Sequence, residues 1–150
     1  MTKINNSGIE KRYAKTKEYR QTLERIIKTN RCPFCPDNFK YHKKPILKKI
    51  NGWIATTNSW PYKNTKFHFV LIPIKHKTNF SDLNTQDFQT VKYLVNWLNK
   101  KYKIKGGALA LRFGDQNLTG ATVRHLHFQL IVPQLKPKSK IAKVVNFPIG

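Results

Sequence analysis

The stretch His125-Leu126-His127-Phe128-Gln129-Leu130-Ile131 constrains the fold of this chain more than any other, because it has the two-residue period of a strand with unlike faces. In extended backbone successive side chains alternate sides, so His125, His127 and Gln129 project together while Leu126, Phe128 and Leu130 project opposite. The apolar side can pack on a core and leave the polar side for a ligand. Burying two imidazoles and an amide together costs about 1–3 kcal/mol for each group left unpaired, so a metal, a phosphate or a partner is expected to meet them. Only five histidines occur in the chain and two lie here, which favours chemistry over a chance half-exposed strand. Just upstream, Gly120-Ala121-Thr122-Val123 sets a glycine, a small residue and a hydroxyl where backbone N–H groups and Thr122 can hold an anion close to His127. Taken alone, that glycine reads equally well as a turn.

At 150 residues the chain has the size of one domain with a single core. Its charge is extreme, with 29 Lys and Arg against 7 Asp and Glu, a formal net charge of +22. No apolar run approaches the roughly 20 residues of a membrane helix, which excludes that class. The polar start Thr2-Lys3-Ile4-Asn5-Asn6 has no apolar signal-peptide core, so a cytoplasmic protein is expected. In such a compartment Cys32 and Cys35, two residues apart, stay free for a metal or for redox work, and they make a poor structural disulfide. From the residues alone the pair reads as a metal knuckle, a redox couple or two idle thiols.

Residues 1–30 read as a basic helical extension, in which Ile9, Tyr13, Leu23, Ile26 and Ile27 keep a partial helical rhythm and the C-terminal half docks. Cys32-Pro33-Phe34-Cys35-Pro36 breaks it with a tight loop. Residues 46–51 and 53–57, joined at Gly52, read as a hairpin, and 67–74 as a strand. Beyond Asp82, Phe88, Val91, Leu94, Val95 and Leu98 recur at helical spacing and mark the main helix. Residues 108–113 and 125–132 supply further strands. A lysine-rich linker, 134–140, leads to a last short strand over 141–147. This order predicts an α+β fold, an antiparallel sheet with helices on one face, with residues 31–150 as the domain that follows the extension.

The run Gly120-Ala121-Thr122-Val123-Arg124-His125-Leu126-His127-Phe128-Gln129-Leu130-Ile131-Val132-Pro133 resembles the signature of the histidine-triad superfamily of nucleotidyl hydrolases and transferases. The resemblance extends upstream through Asn58-Ser59-Trp60-Pro61-Tyr62, His68-Phe69-Val70-Leu71-Ile72-Pro73 and Lys75-His76, with the motifs in the family's order. It implies the same α+β fold, a nucleotide substrate and a homodimer. It implies that His127 is a nucleophile forming a covalent nucleotidyl-imidazole, flanked by His125 and Gln129. Gln129, Thr122 and the backbone near Gly120 would donate to phosphate oxygens, His68 would help hold the phosphates, Asn58 would contact the ribose, and Trp60 and Tyr62 would border the base. In the branch that includes galactose phosphate uridylyltransferases, a Cys-x-x-Cys, the histidine after the proline motif and the first triad histidine bind zinc. Cys32, Cys35, His76 and His125 match those positions, which implies a structural zinc.

The chain also departs from the commonest pattern. Gln129 stands where most members have the third histidine, and an amide cannot act as an acid. The same substitution occurs in transferase and phosphorylase branches, so nucleotidyl transfer, phosphorolysis or hydrolysis of dinucleoside polyphosphates or related phosphodiesters and anhydrides is the expected activity. Gly114 stands where many members carry an amide, and Ala121 where some carry Gln or Ser. The charge adds a second expectation, non-specific nucleic-acid binding through the basic surface. It leaves open aprataxin-like processing of nucleotidylated nucleic-acid ends and a nucleotide- or RNA-binding module without turnover. A Lys-rich proteome that has biased a solvated surface accounts for the same composition.

Overall fold

The computed structural model describes residues 6–150; residues 2–5 of the polar start, and with them Lys3 of the basic extension, lie outside the described residues. Five strands, β1 Ile46–Ile50, β2 Trp53–Thr57, β3 Thr65–Pro73, β4 Ala108–Leu111 and β5 Phe128–Pro133, form one antiparallel sheet in the order β1-β2-β3-β5-β4. β1 and β2 meet at Asn51-Gly52, both with positive φ (46° and 75°), the two-residue turn that matches the right-handed twist of a hairpin.

The two faces of the sheet follow from the alternation in its strands. Trp53, Ala55, Phe69, Leu71, Phe128 and Leu130 turn to one side. There they bury against Val91, Leu94 and Leu98 of helix α2, Thr85–Tyr102. The helix begins at a capping box in which Asn84 and Asp87 bond each other's backbone N–H groups. Asp87 also accepts from Trp53 Nε1–H at 2.9 Å and pairs with Lys77, which pins the helix start to the sheet. Phe88, placed by its spacing on the apolar stripe, is 41% exposed and meets Phe80 and the edge of Phe128 instead of the core.

On the opposite side Ile54, Val70 and Ile72 pack with Phe34 and Phe39. The cysteine loop and a turn of 3₁₀ helix, Pro36–Tyr41, lie there. Helix α1, Lys17–Thr29, faces that same side across a cavity lined by its Tyr19 and Leu23 and by Val70 and Gln129 of the sheet. The main helix α2 thus packs on one face of the sheet, as expected, and α1 stands across the cavity from the other. The helix starts at Lys17, well after Ile9, because the Thr16 hydroxyl caps the Tyr19 N–H and stops the pattern there. Ile9 instead forms a β-bridge with Val123, and it is buried to 5% with Leu23 and Ile26. Residues 141–147 form no strand; one bridge, Leu135 to Ala142, is made, and Ile141 and Val144 are exposed. A short helix that the spacing did not signal, α3 Gln116–Thr119, carries the chain from β4 to Gly120.

Candidate functional site

β5 begins at Phe128, so His125, at a bend, and His127 sit in the irregular segment just ahead of it, where the sequence placed them inside the strand. Their hydrogen bonds fix their tautomers. A backbone carbonyl only accepts, so His125 donates Nε2–H to the Pro73 oxygen at 2.8 Å and His127 donates Nδ1–H to the His125 oxygen at 2.9 Å. Each ring keeps a lone pair on its other nitrogen. For His127 that is Nε2, on a side chain that lines the cavity with the Phe34 ring edge-on at 5.1 Å. Burial, opposed by the bond to the His125 carbonyl and assisted by the Arg112 charge, pushes the His127 pKa down to about 4. The ring is neutral at pH 7.

Gln129 is held from behind. Tyr62 N–H donates to His68 Nδ1 at 3.1 Å, which leaves His68 Nε2 to carry the ring proton and donate to Gln129 Oε1 at 2.8 Å. The Gln129 side-chain nitrogen therefore points its donors away from His68, and Gln129 lines the cavity. His68 itself is 2% exposed, with both nitrogens engaged by protein. It sits behind the site and does not border the cavity. Asn58 does border it; its Oδ1 accepts the Trp60 N–H at 2.8 Å and its Nδ2 lies 3.2 Å from His68 Nε2.

Gly120 and Thr122 reach the cavity wall, but two of the expected backbone donors are committed: Gly120 N–H to the Gln116 carbonyl at 3.0 Å and Ala121 N–H to the Thr119 hydroxyl at 3.2 Å. A side chain at Gly120 would come within 2.6 Å of the Gly150 oxygen, and its φ is +68°, so glycine is needed there twice over. Thr122 shares a hydrogen bond of 2.7 Å with the Tyr19 hydroxyl, and the Tyr19 ring stacks on Trp60 at 4.9 Å. Gly114 stays outside the lining and donates its N–H to Thr78.

The spacing of motifs did not signal Lys15, Tyr19, His42 or Arg112, which also line this cavity of about 230 Å³. A signal for Arg112 existed. β4 pairs with β5 as Ala108 to Ile131 and Ala110 to Gln129, and continuing that register sets Arg112 opposite His127. His42 donates Nε2–H to Thr56 Oγ at 2.7 Å, because that hydroxyl is itself committed to the Pro45 carbonyl, and its Nδ1 accepts from Ser59 Oγ at 3.2 Å.

The structure brings together Cys32, Cys35, His76 and His125, whose ligand atoms all lie within 4.8 Å of one another. Sγ of Cys32 is 3.3 Å from His125 Nδ1, Sγ of Cys35 is 3.3 Å from His76 Nδ1, and the two Nδ1 atoms are 3.1 Å apart. Tetrahedral zinc with bonds of about 2.3 Å to sulfur and 2.0–2.1 Å to nitrogen has ligand-to-ligand edges of roughly 3.3–3.8 Å. The donor set and spacing fit that ion. The His125 bond to Pro73 is the outer-shell contact that metal-bound imidazoles make, and it aims the Nδ1 lone pair at the other three donors. Burial, with the neighbouring Cys35 adding to it, raises the Cys32 thiol to about 12, so a bound cation is what would make it a thiolate.

No protein-family model and no curated protein matches the sequence. Solved structures do. A HIT family hydrolase from Clostridium thermocellum is 25% identical and superposes with a TM-score of 0.57, over 73% of this chain and 96% of that one. The chain has the histidine-triad fold. A histidine triad nucleotide-binding protein from Candida albicans shares the fold at 18% identity and a TM-score of 0.59, over 78% of this chain and 82% of its own. A Zn-bound histidine triad family protein from Mycobacterium smegmatis does so at 16% and 0.54, over 78% and 83%. In this fold the third motif position, Gln129, can hydrogen-bond but carries no titratable proton. The arrangement offers a neutral imidazole, an oriented amide donor and two cations, without a carboxylate on the cavity wall.

Proposed function

We propose that this protein is a nucleotide-binding enzyme that transfers a nucleoside monophosphate through His127, with dinucleoside polyphosphates or related phosphodiesters and anhydrides as donors. The observation that carries the reading is the His127 tautomer: Nδ1–H is spent on the His125 carbonyl, which leaves the Nε2 lone pair free on a ring that lines the cavity. Nε2 attacks phosphorus, the bond to the leaving oxygen breaks, and the proton on Nδ1 stays on the now cationic ring beside the His125 carbonyl. Gln129, turned by His68, donates to a non-bridging oxygen. One such donor is worth about 10²–10³ in rate where charge develops. Water or inorganic phosphate then displaces the nucleotide from His127. Asn58 is assigned to the ribose and Thr122 to the phosphate side; His68 serves as a positioning residue.

Cys32, Cys35, His76 and His125 would hold a structural zinc, which ties the cysteine loop to the start of β5. The Zn-bound relative from Mycobacterium smegmatis supports this. A homodimer is part of the same reading. Incubation with diadenosine polyphosphates, with and without inorganic phosphate, tests the activity. A nucleoside diphosphate formed when phosphate is present marks a phosphorylase, and AMP formed in its absence marks a hydrolase. No product under either condition removes the enzyme reading and leaves a nucleotide-binding module.

A further inference from the structure

Tyr62 stands between two cations. Lys15 Nζ lies 3.9 Å from the centre of its ring, and Arg112 Nη1–H donates to its hydroxyl at 3.1 Å. Both cations line the cavity that holds His127. Neither has an acidic partner: the ion pairs among the described residues join Lys11, Arg12, Arg31 and Lys77 to Glu24, Glu10, Asp37 and Asp87. Like charges set this close repel, and the Lys15 amine is depressed first by its desolvation and then by the Arg112 charge. An arrangement of this kind is relieved by an anion.

Arg112 is also preset for one. Its ring neighbour Phe147 lies 3.9 Å from the guanidinium carbon, and Nε and Nη2 both donate to the Pro148 carbonyl. A guanidinium has five N–H bonds; three are used here, which leaves two for a ligand. The continuation of the β4–β5 register places it opposite His127, so an anion held by Arg112 lies beside the phosphorus that His127 attacks.

The chemistry of Gln129 bears on the same point. An amide has no proton to give a departing group, and the cavity has no carboxylic acid either. A leaving group must then depart as a stable anion. Phosphate and its esters do so, while an alkoxide or an amide ion does not.

From these observations, and resting on the function proposed above, we infer that Lys15, Arg112 and Tyr62 form a second phosphate subsite that receives the leaving group, so that donors with phosphate on both sides of the bond that breaks are favoured over those without it. The His127 Nε2–P bond forms, the P–O bond to the second phosphate breaks, and its electron pair stays on the leaving oxygen between Lys15 and Arg112 with no proton required. The donor class is a phosphoanhydride, such as a dinucleoside polyphosphate or a nucleoside triphosphate. Lys15 belongs to the N-terminal segment ahead of α1, so this segment takes part in substrate choice.

Two substrates separate the subsite from general damage: diadenosine tetraphosphate, whose leaving group is phosphorylated, and the 4-nitrophenyl ester of AMP, whose leaving group departs as an anion but has no phosphate. In Arg112→Gln and Lys15→Gln, kcat/KM for the first should fall on the order of tenfold or more while that for the second changes by less than about twofold, since only an interaction with the departing phosphate is lost. Equal losses on both substrates, or none on either, would overturn the subsite. Inorganic tripolyphosphate binding by calorimetry reads the same cations without turnover. Wild type should bind it, Lys105→Gln outside the cavity should bind it equally, and Arg112→Gln should weaken it on the order of tenfold. Wild-type binding that Arg112→Gln leaves unchanged also overturns the subsite. Wild type that binds tripolyphosphate through Arg112 but turns over neither nucleotide would sink the proposed activity and leave the subsite standing.

Discussion

At the residue scale, two hydrogen bonds to backbone decide what the histidines can do. The His125 carbonyl fixes the His127 proton on Nδ1, and Tyr62 N–H fixes the His68 proton on Nε2, which in turn orients Gln129. Chain connectivity, and not a charged group, sets both tautomers. His68 gives a measurable consequence. Burial, only partly offset by the bond to Gln129, lowers its pKa to about 4, against about 6.5 in an unfolded chain. Between those values the unfolded chain binds a proton that the fold excludes, so stability from the neutral ring is complete above about pH 6.5 and is lost as pH falls toward 4. Urea unfolding across that range should show a midpoint that declines as pH falls, and His68→Gln should flatten the decline. An equal slope in the variant would show that the loss arises elsewhere.

At the scale of elements, the N-terminal helix docks by its C-terminal half, as the apolar positions Leu23 and Ile26 required, and it borders the cavity as well, which those positions did not signal. Tyr19, Leu23 and Ile26 wall the cavity, and Leu23 is 1% exposed. Leu23→Ala should cost about 2–5 kcal/mol of unfolding free energy by chemical denaturation, the range for a truncated buried leucine; a loss below about 0.5 kcal/mol, as for surface changes, would mean that the helix is not packed as described. The cysteine loop gives a second test. Zinc at Cys32, Cys35, His76 and His125 would join three segments distant in sequence, so that binding energy would become folding energy. Cys32→Ser or His76→Ala should lower both zinc per chain, by metal analysis, and the melting temperature. Folded wild type without zinc after zinc-supplemented expression contradicts this. The strands were legible because their alternation is strict: Phe69, Leu71, Phe128 and Leu130 all face α2 as their positions required. The four metal-cluster residues were legible only through the motif resemblance, since spacing alone brings Cys32 and Cys35 together but says nothing of His76. Arg112 was missed because its partner in register, His127, lies beyond the end of the paired ladder. Residues 141–147 read as a strand by composition, yet they make one bridge; Val144 gives its carbonyl to Asn64, and Pro148 just beyond them gives its own to Arg112.

At the scale of the whole molecule, the chain carries a formal net charge of +22, and Lys15 and Arg112 bring part of it to the cavity wall. No helix among the described residues is long and apolar enough to cross a membrane. A surface this basic draws polyanions by counterion release, so single-stranded RNA should bind at low salt in a gel shift and release as salt rises, with a log–log slope of about −0.7 for each phosphate neutralised. Absence of binding near 50 mM salt, a low-salt condition, would leave the charge without that use. The central claim concerns one atom of this molecule, His127 Nε2. Intact-mass measurement after brief incubation with diadenosine tetraphosphate and an alkaline quench reads it most directly. The account predicts that wild type gains the mass of one AMP, that peptide mapping places it on His127, and that His127→Ala neither gains the mass nor turns over substrate. Turnover by His127→Ala at the wild-type rate, or an adduct mapped to another residue, would contradict it.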